Sequence, residues 1–352
     1  QSWRKVASIK GIPETTYVNM LVASPTDENV VYAVFNNHKR GDFKPYIFKS
    51  SDKGKSWSNI SSDLPERGST YALAQDHINP NLLFAGTEFG VFFSNTGGSS
   101  WIQLKSGLPT IAVRDIALQR RDGDLVLGTF GRGFYVMDDY SALRTVNNDI
   151  LAKEAHIFDI KDGLMYLQSN DLGRGRRGFQ GDALYSADNP KVGAWITYHY
   201  GKSASTLKDA RKKKEKDTED DYYPSFEELE KEDNEEESFL IFTIKDSEGE
   251  VVRQITKAMS KGINRVVWDF KYSSLSPQFS GNDASGRWAL PGTYTVSISK
   301  NENGKVTDLG VSKKFNCIPL NHNTLATSDR EALKDFTDKV AELRRVVNGV
   351  GA

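Results

Sequence analysis

Three observations predict a mainly β chain. Short β-rich runs repeat every roughly 40 to 50 residues, the repeat stops after Leu143, and an amphipathic stripe follows near the end. The fold class they predict is all-β: a partial β-propeller of about three four-stranded blades (1–145), an Ig-like β-sandwich (156–318) with a charged insertion (202–237), and a C-terminal helix (328–347). With 352 residues, 38% of them hydrophobic, the chain has material for two or three cores.

The repeat is clearest at Ser50-Ser51-Asp52-Lys53-Gly54-Lys55-Ser56-Trp57, which fits S-x-D-x-G-x-[ST]-W, the Asp-box. A second copy begins 44 residues later and keeps Ser94, Gly98, Ser100 and Trp101, with Thr96 in the aspartate's place. The chemistry of the box is structural. Its carboxylate accepts turn N–H bonds, glycine supplies the permissive backbone, and tryptophan packs between sheets. Trp57 and Trp101 are therefore expected to be largely buried between neighbouring blades.

The flanks repeat too. Asn29-Val30-Val31-Tyr32-Ala33 aligns with Asn81-Leu82-Leu83-Phe84-Ala85, and Gly86-Thr87 recurs as Gly128-Thr129. The runs between them are β-branched or aromatic and too short for buried helices. Blades are expected at about 16–62, 68–106 and 111–139, the last without an obvious fourth strand. Gln1-Ser2-Trp3 resembles the tail of a further box. Three blades do not close a ring, so 1–145 is expected to form an open arc completed by upstream blades or by another envelope protein chain.

In the second half, Gly193–200 reads as a strand, 239–244 and 251–253 as a hairpin, and 264–269 and 291–298 as further strands. The insertion is rich in Lys, Glu and Asp. It reads as solvated and partly helical or disordered, or as a docking tail. Ser328-Asp329-Arg330-Glu331 is a capping-box pattern opening a helix with Leu333, Phe336, Val340 and Leu343 on one stripe, which needs a surface to cover.

Lysine plus arginine (46) balances aspartate plus glutamate (47), which leaves no whole-molecule field to attract nucleic acid or an anionic membrane. The single cysteine, Cys317, excludes an intramolecular disulfide framework. His38, His77, His156, His199 and His322 lack metal-ligand spacing, so neither a metal nor a cofactor is expected. No apolar run reaches membrane-span length.

These motifs, with Gly41-Asp42-Phe43-Lys44-Pro45-Tyr46 and Gly131-Arg132-Gly133-Phe134-Tyr135-Val136-Met137-Asp138-Asp139, resemble the bacterial sortilin-like (VPS10-type) Asp-box/BNR-repeat proteins. Gly262-Ile263-Asn264-Arg265-Val266-Val267-Trp268-Asp269 is similar to the Ig-like module that follows the propeller in that family. The resemblance implies a longer exported protein at the surface, in the periplasm or outside a Gram-negative bacterium, with a signal peptide that this chain does not contain. It leaves activity open, because Asp-boxes occur in sialidases, xyloglucan-cleaving enzymes and non-enzymatic sortilins.

Candidate residues are judged by what the chemistry needs. Glycoside hydrolysis needs a carboxylate pair, for which Asp138, Asp139 and Glu88 are the candidates. Asp138-Asp139 equally suits a strand-ending turn. Arg132 and Asp42 are binding candidates, although Arg132 equally suits bonding to loop carbonyls. The loop Gly173-Arg174-Gly175-Arg176-Arg177-Gly178-Phe179 reads as a mobile solvent loop rather than a nucleic-acid site. The leading expectation is a binding or scaffold protein for a glycan or protein partner, non-catalytic in this segment. A glycoside hydrolase and a peptide-binding tunnel protein are the alternatives.

Overall fold

The computed structural model describes residues 6, 8–166, 187–217, 222–274, 285–320 and 329–350. Gln1-Ser2-Trp3, the loop at 173–179, His322 and Ser328 lie outside the described residues. The chain divides into two compact units, Gln1–Val146 and Asn147–Ala352. It is mostly β, with helices in the insertion and at the C-terminal end.

The first unit is a succession of antiparallel meanders. β1 (Tyr17–Ala23), β2 (Val31–Asn37), β3 (Asp42–Ser50) and β4 (Ser58–Asn59) form one sheet in chain order. β5 (Thr70–Gln75), β6 (Leu83–Thr87), β7 (Gly90–Ser94) and β8 (Ile102–Leu104) form the next. β9 (Val113–Gln119), β10 (Asp124–Thr129) and β11 (Phe134–Met137) form the third. The middle sheet is the most enclosed, with every residue of β5, β6 and β7 buried. Tyr32, Val34 and Ile47 of the first sheet meet Leu73, Leu83, Ala85 and Phe92 of the second in one apolar layer that includes Trp101. Gly86 lets the third sheet approach, since a Cβ there would lie 2.6 Å from the Val113 carbonyl oxygen.

Both Asp-boxes close by the same bonds. Asp52 Oδ1 accepts from the Lys55 and Ser56 amides (2.9 and 2.8 Å) and from the Ser50 hydroxyl (2.7 Å), and Ser50 Oγ accepts from the Gly54 amide (2.8 Å). In the second box Ser94 Oγ accepts from the Gly98 amide (2.9 Å), and Thr96 Oγ1 replaces the carboxylate by accepting from the Ser100 amide (3.0 Å). The lead-in loops match as well. The Leu64, Leu108 and Ile12 amides bond back three residues to Ser61, Lys105 and Ile9, each just ahead of a proline. This Gly/Asp-Leu/Ile-Pro signal is legible in the sequence beside the boxes.

One expectation needs correction here. Trp101 is 6% exposed, and its indole donates to the Ile60 carbonyl (2.8 Å) of the preceding sheet's end. Trp57 is only half-buried. It packs against Phe35, Tyr46 and Phe48 on the outer side of the first sheet, where the segment containing Ile9 and Ile12 is the cover among described residues. The third sheet has three strands, in line with the lack of an obvious fourth strand in the sequence. After β11 the chain turns at Asp139 (φ 48°) into a 3-10 turn, Ser141–Arg144. That turn is held by Asp76, which accepts from the Tyr140 hydroxyl (2.7 Å) and from Arg144 Nε and Nη2 (3.0 Å each).

The second unit opens with α1 (Asn148–Leu151), so residues ahead of 156 already belong to it. β12 (Ala155–Ile157), β13 (Gly163–Met165) and β14 (Ala194–Tyr200) precede the insertion helices α2 (Leu207–Asp217) and α3 (Phe226–Asp233). β15 (Phe239–Lys245), β16 (Val251–Ala258), β17 (Gly262–Trp268), β18 (Lys271–Ser273), β19 (Ser285–Trp288), β20 (Gly292–Glu302) and β21 (Lys305–Pro319) follow, then α4 (Arg330–Val350). Sheets β12-β14-β17 and β13-β21-β20-β15-β16 bury one core between them, and β18-β19 is a separate hairpin.

Alternation dictates that core. Ala194, Ile196, Tyr198 and Tyr200 point one way from β14, and Leu240, Phe242 and Ile244 one way from β15. Trp268 sits at its centre, with ring centroids of Tyr294, Phe270 and Phe315 at 4.8, 5.7 and 6.0 Å. In the insertion, Arg211 on α2 forks onto Glu232 on α3 (Nε–Oε1 2.6 Å, Nη2–Oε2 3.2 Å), and Ser225 and Glu228 form a capping box.

Candidate functional site

The three sheets of the first unit share an irregularity. Val18 and Met20 oppose the adjacent residues Phe35 and Val34, Thr70 and Ala72 oppose Thr87 and Gly86, and Val113 and Asp115 oppose Thr129 and Gly128. One extra residue is thus inserted at the same place near the start of each sheet's first strand: Asn19, Tyr71 and Arg114. A β-bulge of this kind bends the strand and re-aims its side chain.

The three bulged residues touch in series. Asn19 Nδ2 donates to the Tyr71 carbonyl, and the Arg114 guanidinium stacks on the Tyr71 ring at 3.8 Å. The Tyr71 hydroxyl donates to Glu88, and Glu88 Oε2 stands 3.9 Å from Arg114 Nη2. On the other side Asn36 Nδ2 donates to Asn19 Oδ1 (2.7 Å), and His38 Nδ1 is 2.7 Å from Asn36 Oδ1. The result is a continuous polar chain from His38 to Arg114 across all three sheets.

Position follows from topology. The hairpins β2–β3, β6–β7 and β10–β11 lie at the same end of their sheets as the starts of β1, β5 and β9, and they supply His38, Glu88 and Phe130. Tyr17, Phe89 and Phe130 expose much of their rings there, and Arg114 also lies 5.2 Å from the Phe130 centroid. Next to the bulges, the first strands of the sheets line a groove of about 330 Å³ of mixed character, with Met20, Leu73 and Ile116 beside Gln75 and Arg120.

Burial, aided by the bond to Glu88, pushes the Tyr71 hydroxyl up to about 12, so it stays a proton donor across the physiological range. The half-exposed Arg114 guanidinium and the open faces of Tyr17, Phe89 and Phe130 suit hydrogen bonding and stacking, while the buried Tyr71 hydroxyl is committed to Glu88.

Of the sequence candidates, Glu88 is in this cluster. Asp42 is nearby on the β2–β3 hairpin, where it accepts from the Tyr46 hydroxyl (2.7 Å) and the Lys44 amide (3.2 Å). Burial would raise the Asp42 carboxyl, but those bonds outweigh it and hold it below its ordinary value. Arg132 is exposed at the β10–β11 tip between Gly131 and Gly133.

Asp138 and Asp139 are elsewhere. Asp139 is buried in the turn after β11, its amide donating to Asp124 and its carboxylate accepting from the Ser141 amide. These acids and Glu88 sit at opposite ends of β10, about 17 Å along the strand at ~3.3 Å per residue. That exceeds the separation of about 5 to 9.5 Å used by glycosidase carboxylate pairs, so Glu88 and Asp138-Asp139 do not form one. The box residues Ser50, Asp52, Gly54, Ser56, Trp57, Ser94, Gly98 and Trp101 hold turns and inter-sheet contacts. Tyr71, Arg114 and Asn19 carry no sequence signal. Among the described residues, no group of three or more His, Cys, Asp or Glu is placed to hold a metal ion, and no helix is long and apolar enough to cross a membrane.

No protein-family model matches the chain, and no curated protein matches it. Similar solved structures include a GH74 enzyme from Niastella koreensis, 21% identical over 35% of this chain and 21% of the enzyme, with a TM-score of 0.29. A GH74 xyloglucanase from Xanthomonas campestris is 10% identical over 83% of this chain and 38% of its own, with a TM-score of 0.29. The extracellular domain of a hybrid two-component system from B. thetaiotaomicron is 12% identical over 87% and 31%, with a TM-score of 0.25. The chain spans 21 to 38% of the lengths of these structures. Likeness this low carries no argument about activity or ligand.

Proposed function

We propose that this chain is a binding or scaffold module of an exported Asp-box β-propeller protein of the sortilin-like class, engaging a protein or glycan partner outside the cytoplasm. In this reading the three meanders are blades of a larger ring, the two-sheet core is the Ig-like module, and upstream blades or another envelope chain cover the outer side of the first sheet near Trp57.

One observation carries the binding reading: the bulge recurs in all three sheets and lines up Asn19, Tyr71 and Arg114 as one connected ridge. A repeated disruption that brings these three residues together at one rim, with the buried Tyr71 supporting Arg114 from beneath, favours a recognition role. The ridge has stacking surfaces and hydrogen-bonding groups, and its one carboxylate, Glu88, is engaged by Tyr71.

The test is a binding screen of the whole chain against immobilised glycans and peptides, followed by Arg114→Ala and Tyr71→Phe on any ligand found. Each variant is expected to weaken binding about tenfold, in keeping with loss of one charge-assisted or buried hydrogen bond, with the native circular dichroism spectrum retained. Unchanged affinity in both variants rejects the ridge. Release of reducing sugar that disappears in Glu88→Gln replaces the binding reading with the hydrolase one.

A further inference from the structure

α4 carries a second pattern that the rim does not use. Leu333, Phe336, Val340, Leu343, Val347 and Val350 follow one another at intervals of three and four residues, the spacing of a heptad seam with Leu333, Val340 and Val347 at a and the others at d. All six are open to solvent, from 39% exposed at Val340 to 84% at Val350. The helix is tied to its own unit near its first turns, where Arg287 of β19 pairs with Asp338 (Nη2–Oδ2 3.0 Å).

We infer that the exposed seam of α4 is a two-stranded coiled-coil surface, whose occupant is an amphipathic helix of a different protein with acidic residues flanking its own seam. Valine at two of three a positions with leucine at the central d position, Leu343, fits a two-stranded pairing. The flanks name the partner's charge. Lys339 at g and Arg344 at e border the seam, and the other two flanking residues of its central stretch, Thr337 and Val346, are uncharged. A second copy in parallel sets Lys339 against Arg344 of its mate, and an antiparallel copy sets like flanks together. Both arrangements juxtapose cations, whereas glutamates opposite relieve them. A membrane surface fits less well, because the polar side mixes Arg330, Lys334 and Arg345 with Glu331, Asp335 and Glu342 instead of being uniformly basic.

The experiment titrates two synthetic helical peptides into the whole chain and follows fluorescence anisotropy. Both peptides have Val at a and Leu at d, and one carries Glu and the other Lys at every e and g. The Glu peptide is expected to bind about tenfold more tightly than the Lys peptide, as two charge pairs change sign. Lys339→Glu with Arg344→Glu is expected to invert that order, and Leu343→Asp to abolish both. These positions are exposed, so the circular dichroism spectrum and melting of the rest of the chain serve as the folding control. Equal binding of the two peptides, or no binding, overturns the inference. Sedimentation of the unmodified chain as a dimer that Leu343→Asp dissociates overturns it in favour of a second copy. Binding to phosphatidylserine vesicles that Leu343→Asp removes overturns it in favour of a membrane.

Discussion

At the residue scale, Asp76 concentrates the chemistry of the first unit. It is fully buried, and burial alone would raise its carboxyl. Bonds from Arg144, the Asn79 amide and Tyr140 outweigh that and hold it below its ordinary value. A carboxyl lowered in the fold stabilises it above the unfolded value, about 4, and that contribution is lost as pH falls through the folded value. Urea unfolding of the first unit followed from pH 6 to pH 3 is therefore expected to show a steep loss of stability below about pH 4. Asp76→Asn leaves Arg144 buried without its counter-charge. That variant is expected to be less stable by about 3–5 kcal/mol at neutral pH and to have a flatter acid limb. An equally steep acid limb in the variant assigns the acid sensitivity to other carboxylates.

At the scale of elements, the two Asp-boxes share a turn and differ in what lies over the tryptophan. Trp101 has a full sheet against it and a carbonyl for its indole, whereas Trp57 has an irregular segment. Trp101→Ala is expected to cost about 3–5 kcal/mol, and Trp57→Ala roughly half as much, in proportion to the area removed from water. Chemical denaturation of both variants checks the order, and equal losses reject the difference in cover. The turns were legible because serine, aspartate and glycine act on the backbone within a few residues. The hairpin of 239–244 with the start of β16 at 251–253, and the seam of α4, were legible for the same local reason. The bulges were not. A bulge is a property of register between two strands, and Asn19, Tyr71 and Arg114 share no residue type. The carboxylate candidates illustrate the limit: Glu88 and Asp138-Asp139 look alike in sequence, and only the direction of β10 puts them at opposite ends. The anchor of the turn after β11 was not legible either, because Asp76 lies 64 residues before Tyr140.

At the scale of the whole molecule, the two units hold themselves together by different means. The first relies on repeated turns and an apolar layer between successive sheets, fixed at its end by a buried ion pair. The second closes a single aromatic core around Trp268. Of that core's members, Cys317 alone carries a thiol. It is 2% exposed and lies on β21 between Gly163 of β13 and Gly292 of β20. Burial pushes its ionisation up to about 12, so almost none of it is thiolate at neutral pH.

The chain thus contains a clock that keeps time for one half only. An alkylating reagent reaches Cys317 when strands β13, β21 and β20 part, so the rate of modification at pH 8 counts openings of the second unit. Mass spectrometry is expected to find the native chain unmodified over times that suffice for a small free thiol, and fully modified once urea passes the second unit's midpoint. Rapid stoichiometric labelling in native buffer contradicts the enclosure. Because each molecule has a single thiol, the same reading separates damage in one unit from damage in the other: a variant such as Asp76→Asn should leave the clock's rate untouched while its own unit melts.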